Sequence, residues 1–280
     1  VTLIDLHCHS TCSDGTEPAA LVAQRAAQAG VQLFCLTDHD SIAGHPATLT
    51  TSGGMRTLRG MELSCGERGR PVHLLVLGIE DGPGLPRLLE TLATLQERRR
   101  TRIAEICARF TRWNIHLDPA VIIAEAKGGT PGRPHVAAAL MKAGVVRSVR
   151  EAFDRFLKDG GPADVPSPRL TVEEGAALGR AAGARVSLAH PHTVGHPEVV
   201  RAMCTRAREA GLEGLEAYYG PYTTRERTEW TALAAQLGMV VTAGSDFHGR
   251  HTPEIAGLGV ELPEPHWRRL LEWLGPLASA

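Results

Sequence analysis

The pair His7 and His9, at the C-terminal end of an apolar segment, most constrains what this chain can fold into. Thr2 to Leu6 has the apolar, β-prone character of a buried strand. Side chains alternate along a strand, so both imidazoles project to one side and Cys8 to the other. Two imidazoles held this way form half of a metal site. Asp14 follows in the next turn, a hard oxygen ligand within reach of the same space. Alone, the pair fits surface or hydrogen-bonded core histidines equally well. The device recurs, however. Thr37-Asp-His-Asp40 follows a second apolar run and Gly244-Ser-Asp-Phe-His248 a third. Such a chain needs a fold that gathers its strand C-termini at one end.

The intervening rhythm supplies that fold. Glu17 to Ala29 reads as a helix, with Pro18 near its start and Gly30 as its stop. Val31 to Leu36 reads as the next strand. This βαβ opening implies a parallel sheet or barrel. His39 is a third strand-end imidazole; Asp38 and Asp40 fit either partners that orient imidazoles or simple turn formers. Arg56 to Arg59 leads into Gly60-Met-Glu-Leu-Ser64, which places Glu62 at a strand end, where its two oxygens can bridge two cations. Pro71 to Gly78 is a strand interrupted only by His73, which taken alone reads as a hydrogen-bonded core histidine. From Thr171 the α/β rhythm returns: helices over 172–182, 197–210 and 223–237, and strands over 185–189, 212–218 and 239–243. His190, Asp246 and His248 again stand at strand ends. His192 fits a ligand, an acid or a loop residue equally. Trp267 to Leu274 reads as an amphipathic structural helix in the tail to Ala280.

Residues 85–165 break the pattern. Leu85, Leu88, Leu89, Leu92 and Leu95, then Ile103, Ile106 and Phe110, recur at helical spacing. Further helices are expected from Pro119 to near Lys127, from Arg133 through Met141, and over Phe153 to Leu157, with a flexible loop at 128–132. Arg98, Arg99, Arg100 and Arg102 read as a solvated helix face. The segment is expected to be a helical insertion, or cap, leaving 1–84 and 166–280 as one discontinuous α/β domain. It holds 14 Lys and Arg against 9 Asp and Glu, a net of +5, while the rest of the chain carries −6. A basic module over an acidic body suits an anionic substrate above a carboxylate-rich cation site.

The rest of the composition excludes other classes. Apolar content of 43% supports a core. No apolar run reaches the ~18 residues a membrane span needs, so no membrane association is expected. No signal-peptide pattern is visible, and the cysteines at 8, 12, 35, 65, 107 and 204 form no C-x-x-C; they read as reduced thiols of a cytoplasmic protein. No obligate protein partner is evident.

Asp5-Leu-His-x-His9, Ser13-Asp-Gly15, Thr37-Asp-His-Asp40, Gly60-x-Glu62, Ala189-His-Pro191 and Gly244-Ser-Asp-Phe-His248 together resemble the motif set of the polymerase-and-histidinol-phosphatase (PHP) superfamily. The resemblance implies a distorted (β/α)7 barrel holding two or three divalent metals, commonly Mn, Fe or Zn, at its strand C-termini. His7, His9, Glu62 and Asp246 would hold one metal. Glu62 would bridge to a second completed by His73 and His190. Asp14, His39 and His248 would hold a third. The insertion, with Arg133-Pro-His135 and Phe153-Asp-Arg-Phe-Leu157, resembles the branch acting on nucleoside 3′,5′-bisphosphates, some members also being 5′-3′ exoribonucleases. That implies a phosphomonoesterase removing the 3′-phosphate, with short RNA as a further substrate. Arg133 and His135 would then contact phosphate, and His192, where many relatives have glycine, joins them as a substrate-side residue. A histidinol-phosphate-type phosphatase and a non-catalytic metal- or nucleotide-binding module are the alternatives. Asp14 stands where some relatives have histidine, which favours a harder metal there.

Overall fold

The computed structural model describes residues 1–50, 54–126, 129–255 and 257–279. In chain order the first half holds β1 (Thr2–Asp5), α1 (Ala19–Gln28), β2 (Leu33–Leu36), α2 (His45–Leu49), β3 (Arg56–Glu67) and β4 (Arg70–Leu77). Then come α3 (Leu85–Phe110), α4 (Pro119–Glu125), α5 (Arg133–Lys142) and α6 (Val149–Ala152), the last running into a π-helical turn over Phe153–Leu157. The second half holds β5 (Leu170–Thr171), α7 (Val172–Ala181), β6 (Arg185–Leu188), α8 (Pro197–Ala207), β7 (Leu212–Tyr219), α9 (Thr224–Leu237), β8 (Val240–Gly244), β9 (Val260–Leu262) and α10 (Glu264–Leu274). Lys127 and Gly128, in the expected helix end and loop, lie outside the described residues, as does Ala280.

The strands form a barrel-shaped sheet in the order β8-β7-β6-β4-β3-β2-β1-β9. Neighbours run parallel except around β4, which is antiparallel to both β3 and β6, and at β9, antiparallel to β1. The ends meet where the chain beyond β1 pairs with the end of β8 and the chain that follows it, through Leu6 N–H to Ala243 O (3.0 Å), Asp246 N–H to His7 O (2.7 Å) and His9 N–H to Phe247 O (2.8 Å). This is the expected distorted (β/α)7 barrel, and β4 is the distortion. It joins β3 through Arg68 and Gly69, both at positive φ (49° and 81°), the backbone a two-residue hairpin needs.

That hairpin corrects one expectation. Glu62 does not end its strand: β3 continues to Glu67. The ladder with β2 stops at Arg59, and from Gly60 onward β3 pairs with β4. A bridge between His39 and Glu62 nonetheless brings the carboxylate to the level of the other strand ends. β9, three residues long, was not expected, nor were α2, β5 and α6.

Apolar residues sort into separate clusters. The barrel core holds Ile4, Leu33, Leu63, Leu74 and Leu188, and the first turns of α3 join it through Leu88, Leu92 and Leu95. The far end of the same helix, from Ile103 through Phe110, packs with Ile122, Val136, Leu140 and Phe156 in a second cluster. The long α3 therefore contributes to both apolar clusters. All six cysteines are free, five of them buried. Among the described residues no helix is long and apolar enough to cross a membrane.

Candidate metal centre

All nine metal-ligand candidates converge at the C-terminal mouth of the barrel. His7 and His9, with ring centroids 5.4 Å apart, sit fully buried beyond β1. Gly244 makes that position possible: a Cβ there would lie 2.2 Å from the Cβ of His7. Glu62, 1% exposed, lies at the centre. Its Oε1 is 2.9 Å from both His73 Nδ1 and His190 Nε2, and its Oε2 is 3.1 Å from His9 Nε2 and 3.0 Å from His39 Nδ1. Asp246 Oδ1 is 3.2 Å from His7 Nε2 and 3.3 Å from His9 Nε2. Asp14 faces His248 Nε2 at 3.3 Å and His39 Nε2 at 3.7 Å. Ligand atoms close enough to share an ion group as His7, His9 and Asp246, as His7, Glu62 and His190, as His39, Glu62 and His73, and as His9, Asp14, His39 and His248. The last group draws in His9, which the sequence reading had given only to the first metal. His73, read alone as a core histidine, faces this cluster instead.

The donor set fits cations. His7 Nε2, His9 Nε2, His39 Nδ1, Asp14 Oδ1 and Glu62 Oε2 are buried and have no hydrogen-bond partner. Several lie near a carboxylate oxygen, as above, yet out of line for a hydrogen bond. Buried polar atoms are normally paired. Imidazole nitrogens and carboxylate oxygens left unpaired around one space are the ligands divalent Zn, Mn or Fe accept. Asp246 and His190 also hold strained backbone, at φ 57° and 24°. Strain of this kind persists at functional sites where surrounding structure enforces it.

Electrostatics show how tightly these groups are coupled without metal. Burial pushes the Glu62 carboxyl up, but His39, His73 and His7 outweigh it and hold the group well below its usual range. Asp14 behaves alike, burial opposed by His39 and His248. Burial lowers His248, yet Asp14 and Asp246 raise it to about 10. His73 goes the other way: burial takes it to about 4 despite Glu62. The signs give a pH prediction for chelator-treated protein. A raised His248 contributes stability that is complete below its unfolded pKa of ~6.5 and lost as pH rises through about 10. Depressed Glu62 and Asp14 contribute stability present above ~4 and lost as pH falls further. The melting temperature should therefore fall toward both extremes, and His248→Gln should flatten the alkaline limb. An alkaline limb that the substitution leaves unchanged would remove His248 from this network.

A layer of side chains behind the cluster aims it. Glu216 accepts from His7 Nδ1 (2.9 Å) and from the His190 N–H (2.6 Å). This leaves His7 Nε2 as the free nitrogen, the usual carboxylate–histidine support of a metal ligand. Tyr219 donates to Asp246 Oδ2 (2.9 Å), turning Oδ1 toward the histidines. Asp38 accepts from Ser10 N–H (2.8 Å), Ser10 Oγ (2.7 Å) and Ser13 Oγ (2.6 Å), fixing the loop between His9 and Asp14. Asp5 accepts from the N–H groups of Ser245 (3.0 Å) and Gly259 (2.8 Å). Asp40 accepts from Ser64 N–H (2.7 Å) and Arg99 Nε (2.8 Å). Asp38 and Asp40 thus brace the backbone, hydroxyl and guanidinium groups around the cluster. The sequence reading gave no role to Glu216 or Tyr219. The available signal for Glu216 was a carboxylate inside an apolar strand. Glu213 carries the same signal and is exposed, bonded to Trp273 Nε1 (2.7 Å).

Beside the cluster, between barrel residues and the helices of 85–165, lies a cavity of about 230 Å³. Asp14, His39 and His73 line it, together with Arg98, Arg99, Arg102, Arg133 and Arg169. For Arg99 and Arg102 this corrects the view of 98–102 as a solvated face. Arg99 is held by Asp40 and by Ser64 Oγ (2.6 Å), and Arg102 by Val165 O (2.7 Å) and Asp164 (2.9 Å). Arg98 and Arg100 follow the expectation more closely: Arg98 is exposed at the cavity rim, and Arg100 lies half-buried beside Glu97. Arg133 Nη1 donates to Leu157 O (2.8 Å) and Asp159 Oδ1 (2.9 Å), with its guanidinium over the Phe153 ring. His135 caps its own helix, Nδ1 accepting the Gly132 N–H at 3.1 Å, which leaves the proton on Nε2. His192 stands outside the cluster, its Nδ1 2.8 Å from the Tyr222 hydroxyl.

A PHP-domain family model matches residues 5–158, and the chain belongs to that family. It is a metal-dependent phosphoesterase of the PHP class. Similar characterised proteins carry three different activities. A phosphoribosyl 1,2-cyclic phosphate 1,2-diphosphodiesterase from Eggerthella lenta is 29% identical over 88% of this chain and 94% of its own length. A 3′,5′-nucleoside bisphosphate phosphatase from Chromobacterium violaceum is 30% identical over 95% of this chain and 96% of its own. A 5′-3′ exoribonuclease from Escherichia coli is 30% identical over 88% and 85%. Among solved structures, an amidohydrolase from Chromobacterium violaceum with bound sulfate superposes with a TM-score of 0.87 at 28% identity, covering 96% of each chain.

Proposed function

We propose that this protein removes the 3′-phosphate from nucleoside 3′,5′-bisphosphates, with two or three divalent cations at the barrel mouth. The observation that carries the reading is the shared wall between an imidazole–carboxylate cluster and an arginine-lined cavity. A substrate with two phosphates spans both: one reacts at the cluster, the other is anchored among the arginines. A histidinol-phosphate substrate has one phosphate and an ammonium, and leaves that cavity without an anion to bind.

In this reading His7, His9, Glu62 and Asp246 hold one cation, Glu62, His73 and His190 a second, and Asp14, His39 and His248 a third. Bound divalent cations supply charge for the phosphoryl oxygens and lower the pKa of water toward ~7. The chain's own residues do the positioning. Glu216 keeps the His7 ring oriented, and Tyr219 keeps Asp246 turned inward. Arg99 and Arg133, each already braced by a carboxylate, offer their remaining N–H groups to the anchor phosphate. The helical segment is then a cap: it brings Arg99, Arg102 and Arg133 over the barrel while its own apolar cluster keeps them in register. Burial lowers His135, and with Nδ1 accepting the Gly132 N–H its Nε2 is the nitrogen left to donate.

Anchoring through a remote phosphate uses binding energy to place the reacting one. Adenosine 3′,5′-bisphosphate should therefore exceed both 3′- and 5′-AMP in kcat/KM by ~10²-fold at low salt. The margin should shrink as salt rises, since partly exposed charges are screened over ~8–10 Å at 0.1–0.15 M. Equal turnover of all three nucleotides at low salt would overturn the bisphosphate reading.

A further inference from the structure

Four of the five arginines lining the cavity belong to α3 and α5, and the fifth does not. Arg169 stands immediately before β5, whose two residues pair with β3 at Cys65 and Gly66. That pairing fixes where its side chain starts. A Cβ on Gly66 would lie 3.1 Å from Arg169 Cδ and 3.2 Å from Arg169 Cβ, so the glycine leaves room for the stem to lie against β3. Arg169 thus reaches the cavity from β3, while Arg98, Arg99, Arg102 and Arg133 reach it from helices.

Its lack of partners sets it apart. Arg99 is held by Asp40, Arg102 by Asp164 and Arg133 by Asp159. Arg169 is half-buried, and among the described residues its guanidinium makes no hydrogen bond or ion pair. Burial lowers its pKa, Asp159 opposes this from beyond ion-pair reach, and Arg133 adds to it. A guanidinium carries five N–H donors, and donors withdrawn from water are normally matched to acceptors. The missing acceptor is one that a ligand of the cavity supplies. Charge gives the valence of that ligand. Three of the five arginines are paired with carboxylates, which leaves two positive charges, on Arg169 and on Arg98 at the rim. Asp14, also lining the cavity, already faces His39 and His248. A terminal phosphate monoester carries nearly two negative charges at pH 7, its second pKa being ~6. Esterified on a free oxygen, the same group keeps one.

We propose that Arg169 makes the anchor end of the cavity selective for a terminal, doubly charged phosphate, and so sets the preference for a free over an esterified phosphate at the 5′ position. This rests on the preceding reading, in which the 5′-phosphate is anchored among the arginines; it adds the residue that reads the charge of that group. Arg99 and Arg133 meet the anion with donors left over from carboxylate pairs, and those carboxylates cancel much of their charge. Arg169 meets it with its charge uncancelled, so the second phosphate charge is felt most there.

The test compares adenosine 3′,5′-bisphosphate, its 5′-methyl ester and 3′-AMP on the metal-replete full chain at low salt. The methyl ester keeps the reacting 3′-phosphate and loses one charge at the anchor. Wild-type protein should prefer the bisphosphate to the methyl ester by ~10-fold or more in kcat/KM, with KM carrying most of the difference. Arg169→Gln should cost the bisphosphate ~30-fold and the methyl ester far less, so that the preference drops below ~3-fold. Arg169→Lys should restore part of it. A cation with no partner holds nothing together, so Arg169→Gln should melt no lower than the wild type, and inorganic phosphate should raise the melting temperature of the wild type more than that of the variant. Equal losses on the bisphosphate and its ester, or no loss on either, would overturn the role of Arg169 and leave the bisphosphate reading standing. A variant that melts several degrees lower would mark Arg169 as structural and overturn it too. Wild-type protein that handles the bisphosphate no better than 3′-AMP would sink the bisphosphate reading itself, and the role of Arg169 with it.

Discussion

Glu62→Gln is expected to lower kcat/KM by ~10⁴-fold, about 5.4 kcal/mol of transition-state stabilisation, and to strip the protein of most of its metal. The reason is the position of this one carboxylate. Its two oxygens approach His73, His190, His9 and His39 at 2.9–3.1 Å, and His7 lies 3.4 Å away. No other side chain in the cluster touches as many imidazoles. An amide keeps the shape and one acceptor oxygen but removes the charge and replaces the second acceptor with a donor. A cation held between imidazoles then has no bridging anion. The fold should survive, because the barrel core is apolar and separate from the mouth. A bound cation stabilises the native state by mass action. Added metal should therefore raise the melting temperature of the wild type and leave that of Glu62→Gln almost unmoved. Elemental analysis, circular dichroism and a thermal scan separate the possibilities. A variant that keeps its metal and turns over normally would show that Glu62 is structural.

Which parts of this site could be read from sequence follows from local geometry. His7 and His9 were legible because alternation along a strand needs no tertiary information. Asp246 and His248 were legible for the same reason, even though a positive φ at Asp246 departs from regular strand geometry. Glu62 was recognisable by type but misplaced: β3 changes partner from β2 to β4 in mid-strand, and nothing local marks that exchange. His73 had no local signal at all. It faces the mouth because β4 runs antiparallel to its neighbours, a fact set by the hairpin. Glu216 and Tyr219 were hidden by the register shift in β7 between Glu216 and Tyr218, which breaks the parity that would assign faces. Arg99 was hidden by its neighbours. A run of arginines on a helix usually faces water, and the run resolves only once the end of α3 is packed into the second apolar cluster. β9 is too short to carry a period; its pairing with β1 supplies the signal instead.

Arg133→Ala is expected to lower kcat/KM for a nucleoside 3′,5′-bisphosphate by ~10²-fold, about 2.7 kcal/mol, with metal content unchanged. Arg133 lines the same cavity as Asp14, His39 and His73, and its hydrogen bonds go to Leu157 O and Asp159 rather than to the ligand candidates. Its loss should therefore act on the anchored phosphate and spare the cluster. A nucleoside monophosphate, which lacks the anchor, should be hydrolysed almost as well by the variant as by the wild type. Arg133→Lys should recover only part of the loss, because an ammonium keeps the charge but not the planar fork that matches two phosphate oxygens. One structural role competes with this account: Nη1 also holds Leu157 O and Asp159. Asp159→Asn separates the two, since it weakens that tether and leaves the guanidinium in place. The ion pair is half exposed on the Asp159 side, so its loss should cost little stability. If Asp159→Asn reproduces the full loss of activity, Arg133 works by holding the Phe153–Leu157 turn. If Asp159→Asn is near normal while Arg133→Ala loses bisphosphate turnover alone, the guanidinium itself binds the distant phosphate.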